Sequence, residues 1–149
     1  MNKWQDLREK QQAEVNAFPM HFAFGDEQIE RKIQELGLSR DPKKRAEQIV
    51  SIGAGGFVLK KDYPALIEMF KRQKAERDAA IAEDPTGEGF IYDMFYYELI
   101  NHEYGYTVSY EDTLASLGYK EENIEADPRL KLGLEKAAKA IRVREGFEW

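Results

Sequence analysis

Two residues whose types and spacing suit acid–base chemistry, Glu98 and His102, lie four positions apart in the segment EGFIYDMFYYELINHEYGYT, which covers residues 88–107. In a helix this spacing brings the two side chains together. Histidine is the most frequent general base in enzymes, but the sequence has no cysteine and no serine nucleophile motif to accompany the pair. The pair indicates a reaction centre only if the fold supplies further groups.

A helical projection places Glu98 and His102 inside a wide arc of apolar and aromatic side chains. Buried polar groups normally satisfy one another or a backbone group, so the pattern favours a structural pair. Metal binding would need more ligands, yet only His21 remains as another imidazole, and the spacing fits no common zinc or di-iron motif. We therefore predict no metal and no cofactor. A small enzyme or ligand-binding protein centred on Glu98 and His102 stays the alternative.

The net charge of −6 conceals a strong asymmetry along the chain. Residues 78–128 carry thirteen Asp and Glu against one Lys, whereas residues 40–77 carry ten Lys and Arg against five Asp and Glu. Such an acidic block repels phosphate backbones and attracts basic surfaces. We predict a protein-binding face within it, and a solvated face that maintains solubility is the alternative. The candidate residues are Glu111, Asp112, Glu121, Glu122, Glu125 and Asp127.

Direct nucleic-acid binding is not expected. The run TLASLGYKEENIEADPRL superficially resembles a helix-turn-helix, but its second helix would present carboxylates to the phosphates. The basic middle of the chain is a further alternative, although it matches no recognised nucleic-acid-binding module. Its cationic residues are Lys43, Lys44, Arg45, Lys60, Lys61, Lys71, Arg72 and Lys74.

Hydrophobic periodicity and capping residues predict six helices. They cover residues 3–17, a segment capped by Asp26 and ended by Gly37, residues 63–83, Phe90 to His102, a segment with a Ser109/Asp112 capping box that ends at Gly118, and a last helix that begins at Asp127-Pro128. Two apolar runs flank Gly53-Ala54-Gly55-Gly56, which is the pattern of a hairpin whose turn needs positive φ. A strand follows these glycines, so the segment does not fit a phosphate-binding loop.

The predicted fold class is α+β and predominantly α, with about six helices around the central aromatic-rich helix and one two-stranded antiparallel hairpin. The 149 residues suit a single domain, 1–149. The first residues are charged, and no apolar stretch approaches the roughly 18 residues of a membrane span, so we expect a cytoplasmic protein without membrane contact. Phe147 and Trp149 either pack back on the domain or stay free to bind a partner.

Four segments together resemble a family of small uncharacterised proteins of bacterial plasmids, phages and other mobile elements. These segments are FAFGDEQI, GAGGFVLKKD, GFIYDMFYYELINHEYGYT and EDTLASLGY, which extend from Phe22 to about Tyr119. The resemblance implies no activity and no site residues. It implies a small accessory protein of a mobile element that acts by binding a host component. From the acidic block we predict that this component has a basic surface, for example the nucleic-acid groove of a host nuclease or defence effector, and that the protein inhibits it by occupying that groove. We expect a binding protein and not an enzyme.

Overall fold

The computed structural model describes residues 1–147 and is mostly helical. Within these residues the helices are α1 (Lys3–Ala17), α2 (Asp26–Leu36), α3 (Pro42–Ala46), α4 (Tyr63–Glu83), α5 (Phe90–Asn101), α6 (Tyr104–Thr107), α7 (Glu111–Leu117), α8 (Glu121–Ala126) and α9 (Pro128–Arg144). Strands β1 (His21–Phe22), β2 (Ile49–Gly53) and β3 (Gly56–Leu59) form a sheet, and a 3-10 turn (Lys60–Asp62) precedes α4. No helix in the described part of the chain combines the length and the apolar character that crossing a membrane requires.

The chain divides into two compact units. The acidic unit contains residues 1–11 and 75–149, and the sheet unit contains residues 12–74. The acidic unit has eleven Lys and Arg against nineteen Asp and Glu, a net charge of −8, whereas the sheet unit has eleven against nine, a net charge of +2. The charge asymmetry therefore follows the division into units, and the prediction of a single domain stays a prediction.

In the sheet unit, β3 pairs antiparallel with both β1 and β2. The turn between β2 and β3 has left-handed φ at three successive residues, 87° at Gly53, 52° at Ala54 and 77° at Gly55. Glycine adopts such angles without strain, so the predicted hairpin with its positive-φ turn is confirmed. The sheet has a third strand, β1, which the sequence analysis missed because two residues are too few to show alternation.

Successive side chains of β3 lie on opposite faces of the sheet. Val58 is fully buried against Leu66 and Met69 of α4 on one face. The neighbouring Phe57 lines a cavity with Ile33 of α2. Ile33 is the buried residue of α2, so this helix packs loosely and leaves the cavity open.

The core of the acidic unit is built around α5 and α9. Ile91, Met94, Phe95 and Leu99 of α5 are fully buried. They form one cluster with the inner face of α9, which consists of Leu130, Leu134, Ala137, Ala138 and Ile141. Gly133 permits the close approach, since a Cβ atom there would lie 2.7 Å from the carbonyl oxygen of Gly87 and 2.7 Å from Ile91 Cγ2. The central role predicted for the aromatic-rich helix is confirmed.

The predicted number of about six helices is too low. The additional ones within residues 1–147 are α3, α6 and α8, of five, four and six residues. Helices this short show no complete apolar period, and local caps and tertiary packing hold them in place. Asp41 caps α3 by accepting the Lys43 N–H at 3.1 Å, and the buried Tyr104 anchors α6.

The helix caps were predicted with mixed success. The capping box at Ser109 is wrong, because α7 begins at Glu111 and the Ser109 hydroxyl accepts the N–H of that residue in a local turn at 3.2 Å. Asp26 is the first residue of α2 and not its cap. The start of α9 is confirmed, with Asp127 Oδ1 accepting the N–H of Arg129 at 3.0 Å.

Candidate functional site

The carboxylate of Glu98 lies in the core of the acidic unit, where the residue is 1% exposed. Trp4 Nε1 donates a hydrogen bond to Glu98 Oε1 at 2.9 Å, and Arg8 Nη1 donates to the same oxygen at 2.5 Å. Trp4 and Arg8 are one turn apart on α1, so one face of this helix supplies both donors. The Arg8 guanidinium also lies over the ring of Tyr97, 5.9 Å from its centroid.

His102 follows the last residue of α5 and is half-buried. Its Nδ1 lies 2.8 Å from the backbone carbonyl oxygen of Glu98 and 3.7 Å from Glu98 Oε2. The pair is therefore close, as predicted, but the carboxylate bonds to Trp4 and Arg8. These contacts favour the structural pair, and catalysis by Glu98 and His102 stays the untested alternative. Within residues 1–147, no three His, Asp or Glu side chains are placed to hold a metal ion.

A second buried carboxylate, Asp84, organises the loop that leads into α5. Its Oδ1 accepts the N–H groups of Thr86 and Gly87 at 3.2 and 2.9 Å, and its Oδ2 accepts those of Gly89 and Ile91 at 3.1 and 3.0 Å. Burial by itself raises the pKa of Asp84, but the four backbone donors outweigh it and hold the pKa below the usual 3.8. Asp84 is thus an ionised anchor for the start of α5.

Four of the six predicted binding residues are exposed at the starts of two short helices. Glu111 and Asp112 open α7, and Glu121 and Glu122 open α8. None of these four carboxylates forms an ion pair within the described residues. Their position in a first helical turn also suits the helix dipole. The structure therefore leaves four carboxylates free to meet an external cation.

The other two predicted binding residues are engaged within the fold. Glu125 Oε2 lies 2.9 Å from Lys131 Nζ, and Asp127 Oδ2 lies 3.0 Å from Arg129 Nη2. The hydrogen bond from the Arg129 side chain lowers the pKa of Asp127, and the hydrogen bond to Glu125 raises the pKa of Lys131. Asp127 also caps α9. The main role of Asp127 is therefore to stabilise the start of α9, and its contribution to the surface charge is smaller.

Two of these acids, Glu121 and Glu125, line a groove of about 340 Å³ that α7, α8 and α9 border. Leu114, Ile124 and Leu134 line it and are at most 7% exposed, so they form an apolar floor. Tyr110 lines it as well, with its ring stacked 5.4 Å from that of Tyr104. The charged residues that line the groove are Glu121, Glu125, Lys131 and Glu135. An apolar floor among three carboxylates and one ammonium suits a segment in which cations flank an apolar side chain.

The basic residues of the sheet unit are partly neutralised. Arg72 pairs with Glu14, and Lys71 Nζ lies 3.6 Å from the carboxylate of Glu68. Arg45 Nη1 donates to the carbonyl oxygen of Ser39 at 3.0 Å. The expectation that the chain does not bind nucleic acid directly stays a prediction.

One protein-family model, described as "Family of unknown function (DUF7659)", matches residues 3–140, which is most of the chain. The chain belongs to this family. No curated protein and no solved structure matches the chain significantly. The expected membership of an uncharacterised family is therefore confirmed, while an origin in mobile elements stays a prediction.

Two features of this family member escaped the sequence analysis. The partners of Glu98 are 94 and 90 positions away, and their only signal was the one-turn spacing of Trp4 and Arg8. The anchoring role of Asp84 was not predicted, although an Asp followed by glycines is typical of a turn in which the carboxylate binds backbone N–H groups. Arg129 Nη1 also donates a hydrogen bond to the backbone carbonyl oxygen of Asp84 at 2.8 Å.

Proposed function

We propose that this protein is a small acidic accessory protein that binds a partner protein stoichiometrically. Its binding surface is the acidic face, which consists of Glu111, Asp112, Glu121, Glu122 and the groove between α7, α8 and α9. The partner presents a basic surface. The resemblance of the sequence supports an origin on a mobile genetic element. The acidic face supports action in the bacterial cytoplasm as an inhibitor that occupies the basic nucleic-acid-binding cleft of a host defence effector.

The observation that carries this proposal is a set of four exposed carboxylates that form no ion pair within residues 1–147, one of which, Glu121, lines an apolar groove. Charged groups at the rim of an interface mainly accelerate association and select the partner, and an exposed pair contributes about 0.2–1 kcal/mol. Four such pairs would contribute about 1–4 kcal/mol in total, which is less than a stable complex needs. The groove would supply the rest by accepting an apolar side chain of the partner.

Affinity capture from a bacterial lysate with washes at low and high salt tests the proposal. We expect a basic protein in a 1:1 ratio with the bait, released at high salt because screening weakens exposed charge pairs. A variant with Glu111, Asp112, Glu121 and Glu122 changed to their amides keeps the shape of the acidic face and should lose this partner. Calorimetry with the purified partner should then show an affinity at least about tenfold lower, equivalent to about 1.4 kcal/mol.

A matched control removes four exposed carboxylates elsewhere, through Glu9→Gln, Glu27→Gln, Glu47→Gln and Glu68→Gln. This variant has the same change in net charge, so it separates the acidic face from a general effect of charge. It should retain the partner. Equal capture by both variants, or no salt-sensitive partner at all, would contradict the proposal and favour a solvated face that only maintains solubility.

A further inference from the structure

The sheet unit contains a cavity of about 280 Å³ between α2 and the sheet, which the acidic face does not use. Ile33 and Phe57 are buried in its wall, with 8% and 9% exposed. Its apolar lining is completed by Ala23, Ile29, Leu38 and Ile49. A water molecule takes up about 30 Å³ in the liquid, so roughly nine groups of that size fit. The cavity suits a small molecule and not a peptide segment.

The charged residues that line this cavity, among those the structure describes, are Lys32 and Arg45, and both are cations. The bond from Arg45 Nη1 to the carbonyl oxygen of Ser39 holds the guanidinium in place. Its Nε and Nη2 atoms form no hydrogen bond within residues 1–147. Those two donors lie side by side, which is the arrangement that binds a carboxylate through both oxygens.

Lys32 is available to the same ligand. Its Nζ lies 3.3 Å from Glu35 Oε2, in a pair whose side chains are 27% and 50% exposed. Surface ion pairs of this kind contribute little to stability, so Lys32 can exchange this partner at small cost. An apolar cavity with two cations and no lining carboxylate favours an anion over a neutral or cationic molecule.

We propose that this cavity binds a small amphiphilic carboxylate with an apolar part of about eight carbon atoms. The apolar part lies against Ile33 and Phe57, and the carboxylate binds Arg45 and Lys32. The ligand would also complete the loose packing of α2 on the sheet. This inference is independent of the acidic face, which belongs to the other unit.

Titration of the ¹⁵N-labelled protein with octanoate, followed by amide chemical shifts and calorimetry, tests this site. 1-Octanol serves as the neutral control, since it has the same chain without the charge. We expect saturable 1:1 binding of octanoate, with shifts concentrated in residues 29–38 and 49–57. Its affinity should exceed that of 1-octanol by about tenfold, because hydrogen bonds to a charged group are stronger than neutral ones.

Arg45→Gln should weaken octanoate binding by about tenfold and leave 1-octanol binding unchanged, since only the charged contact is lost. Lys32→Gln should act in the same direction and provides a second test if Arg45→Gln disturbs the fold. The matched control is Lys44→Gln, which removes an exposed cation of α3 that does not line the cavity. The proposal would be overturned if octanoate and 1-octanol bound with equal affinity, or if octanoate up to about 5 mM caused no change in amide chemical shifts. It would also be overturned if all three variants changed octanoate affinity equally.

Discussion

Replacing Asp84 by asparagine removes one of the two oxygen atoms that hold the loop before α5. In the wild-type protein each oxygen accepts two backbone N–H groups, from Thr86 and Gly87 on one side and from Gly89 and Ile91 on the other. An asparagine keeps the size but turns an NH₂ group toward two of these donors. On either side one of the two donors is buried, Gly87 or Ile91, and the other is partly buried. A buried donor without a partner costs about 1–3 kcal/mol, so we expect a loss of at least about 1–3 kcal/mol in the free energy of unfolding at pH 7.

The loss should depend on pH, because the pKa of Asp84 is lower in the folded protein than its usual 3.8. The stability that the ionised carboxylate contributes is fully present well above pH 3.8 and disappears as the pH falls through the folded-state pKa. The difference between wild type and Asp84→Asn should therefore stay constant from about pH 6 to 8 and narrow below about pH 4. Urea unfolding followed by circular dichroism measures both stabilities at each pH.

Glu83→Gln is the matched control, since it removes the same charge one position away. Glu83 is exposed and forms no ion pair within residues 1–147. Its substitution should change the free energy of unfolding by less than about 0.5 kcal/mol. The role assigned to the ionised carboxylate would be refuted if Asp84→Asn lowered the free energy of unfolding by less than about 1 kcal/mol. It would also be refuted if this loss were as large at pH 3 as at pH 7.

Four further substitutions test the contacts that hold the acidic unit together. Arg8→Met should lower the free energy of unfolding by about 1–3 kcal/mol, because it removes the cation beside the buried carboxylate of Glu98. His102→Ala should lower it by less than about 1 kcal/mol. Thermal melts should show the larger loss for Arg8→Met, and the reverse order would contradict this assignment. Gly133→Ala adds about 1–3 kcal/mol of overpacking and gains the roughly 1 kcal/mol by which alanine favours a helix, so we expect a net loss of about 0–2 kcal/mol in the free energy of unfolding. A gain of about 1 kcal/mol would show that the close contact is absent. Asp127→Ala should lower the free energy of unfolding by about 0.5–2 kcal/mol at pH 7, because α9 loses its N-terminal cap. Because the pKa of Asp127 is lowered, this cost should vanish well below pH 3.8 in urea unfolding, and a pH-independent cost would contradict the capping role.

Local signals determined the long helices, since each signal lies within a few residues of the element it defines. Gly37 ends α2 with a φ of 64°, and the N–H of Leu38 bonds to the carbonyl oxygen of Ile33. Asp127 and the proline after it begin α9. The apolar arc of α5 likewise indicated its central place in the core. In contrast, α3, α6, α8 and β1 are too short to carry a periodic pattern, so only packing could reveal them.

The sequence by itself determined the chemical character of this protein: mostly helical, asymmetric in charge, and a member of a family of unknown function. Only the tertiary structure decided which side chains meet. The partners of Glu98 come from α1, residues of α7, α8 and α9 line one groove, and Lys32 and Arg45 line one cavity. Such contacts join residues that are distant in the chain, and they follow from how the elements pack and not from the propensities of each segment.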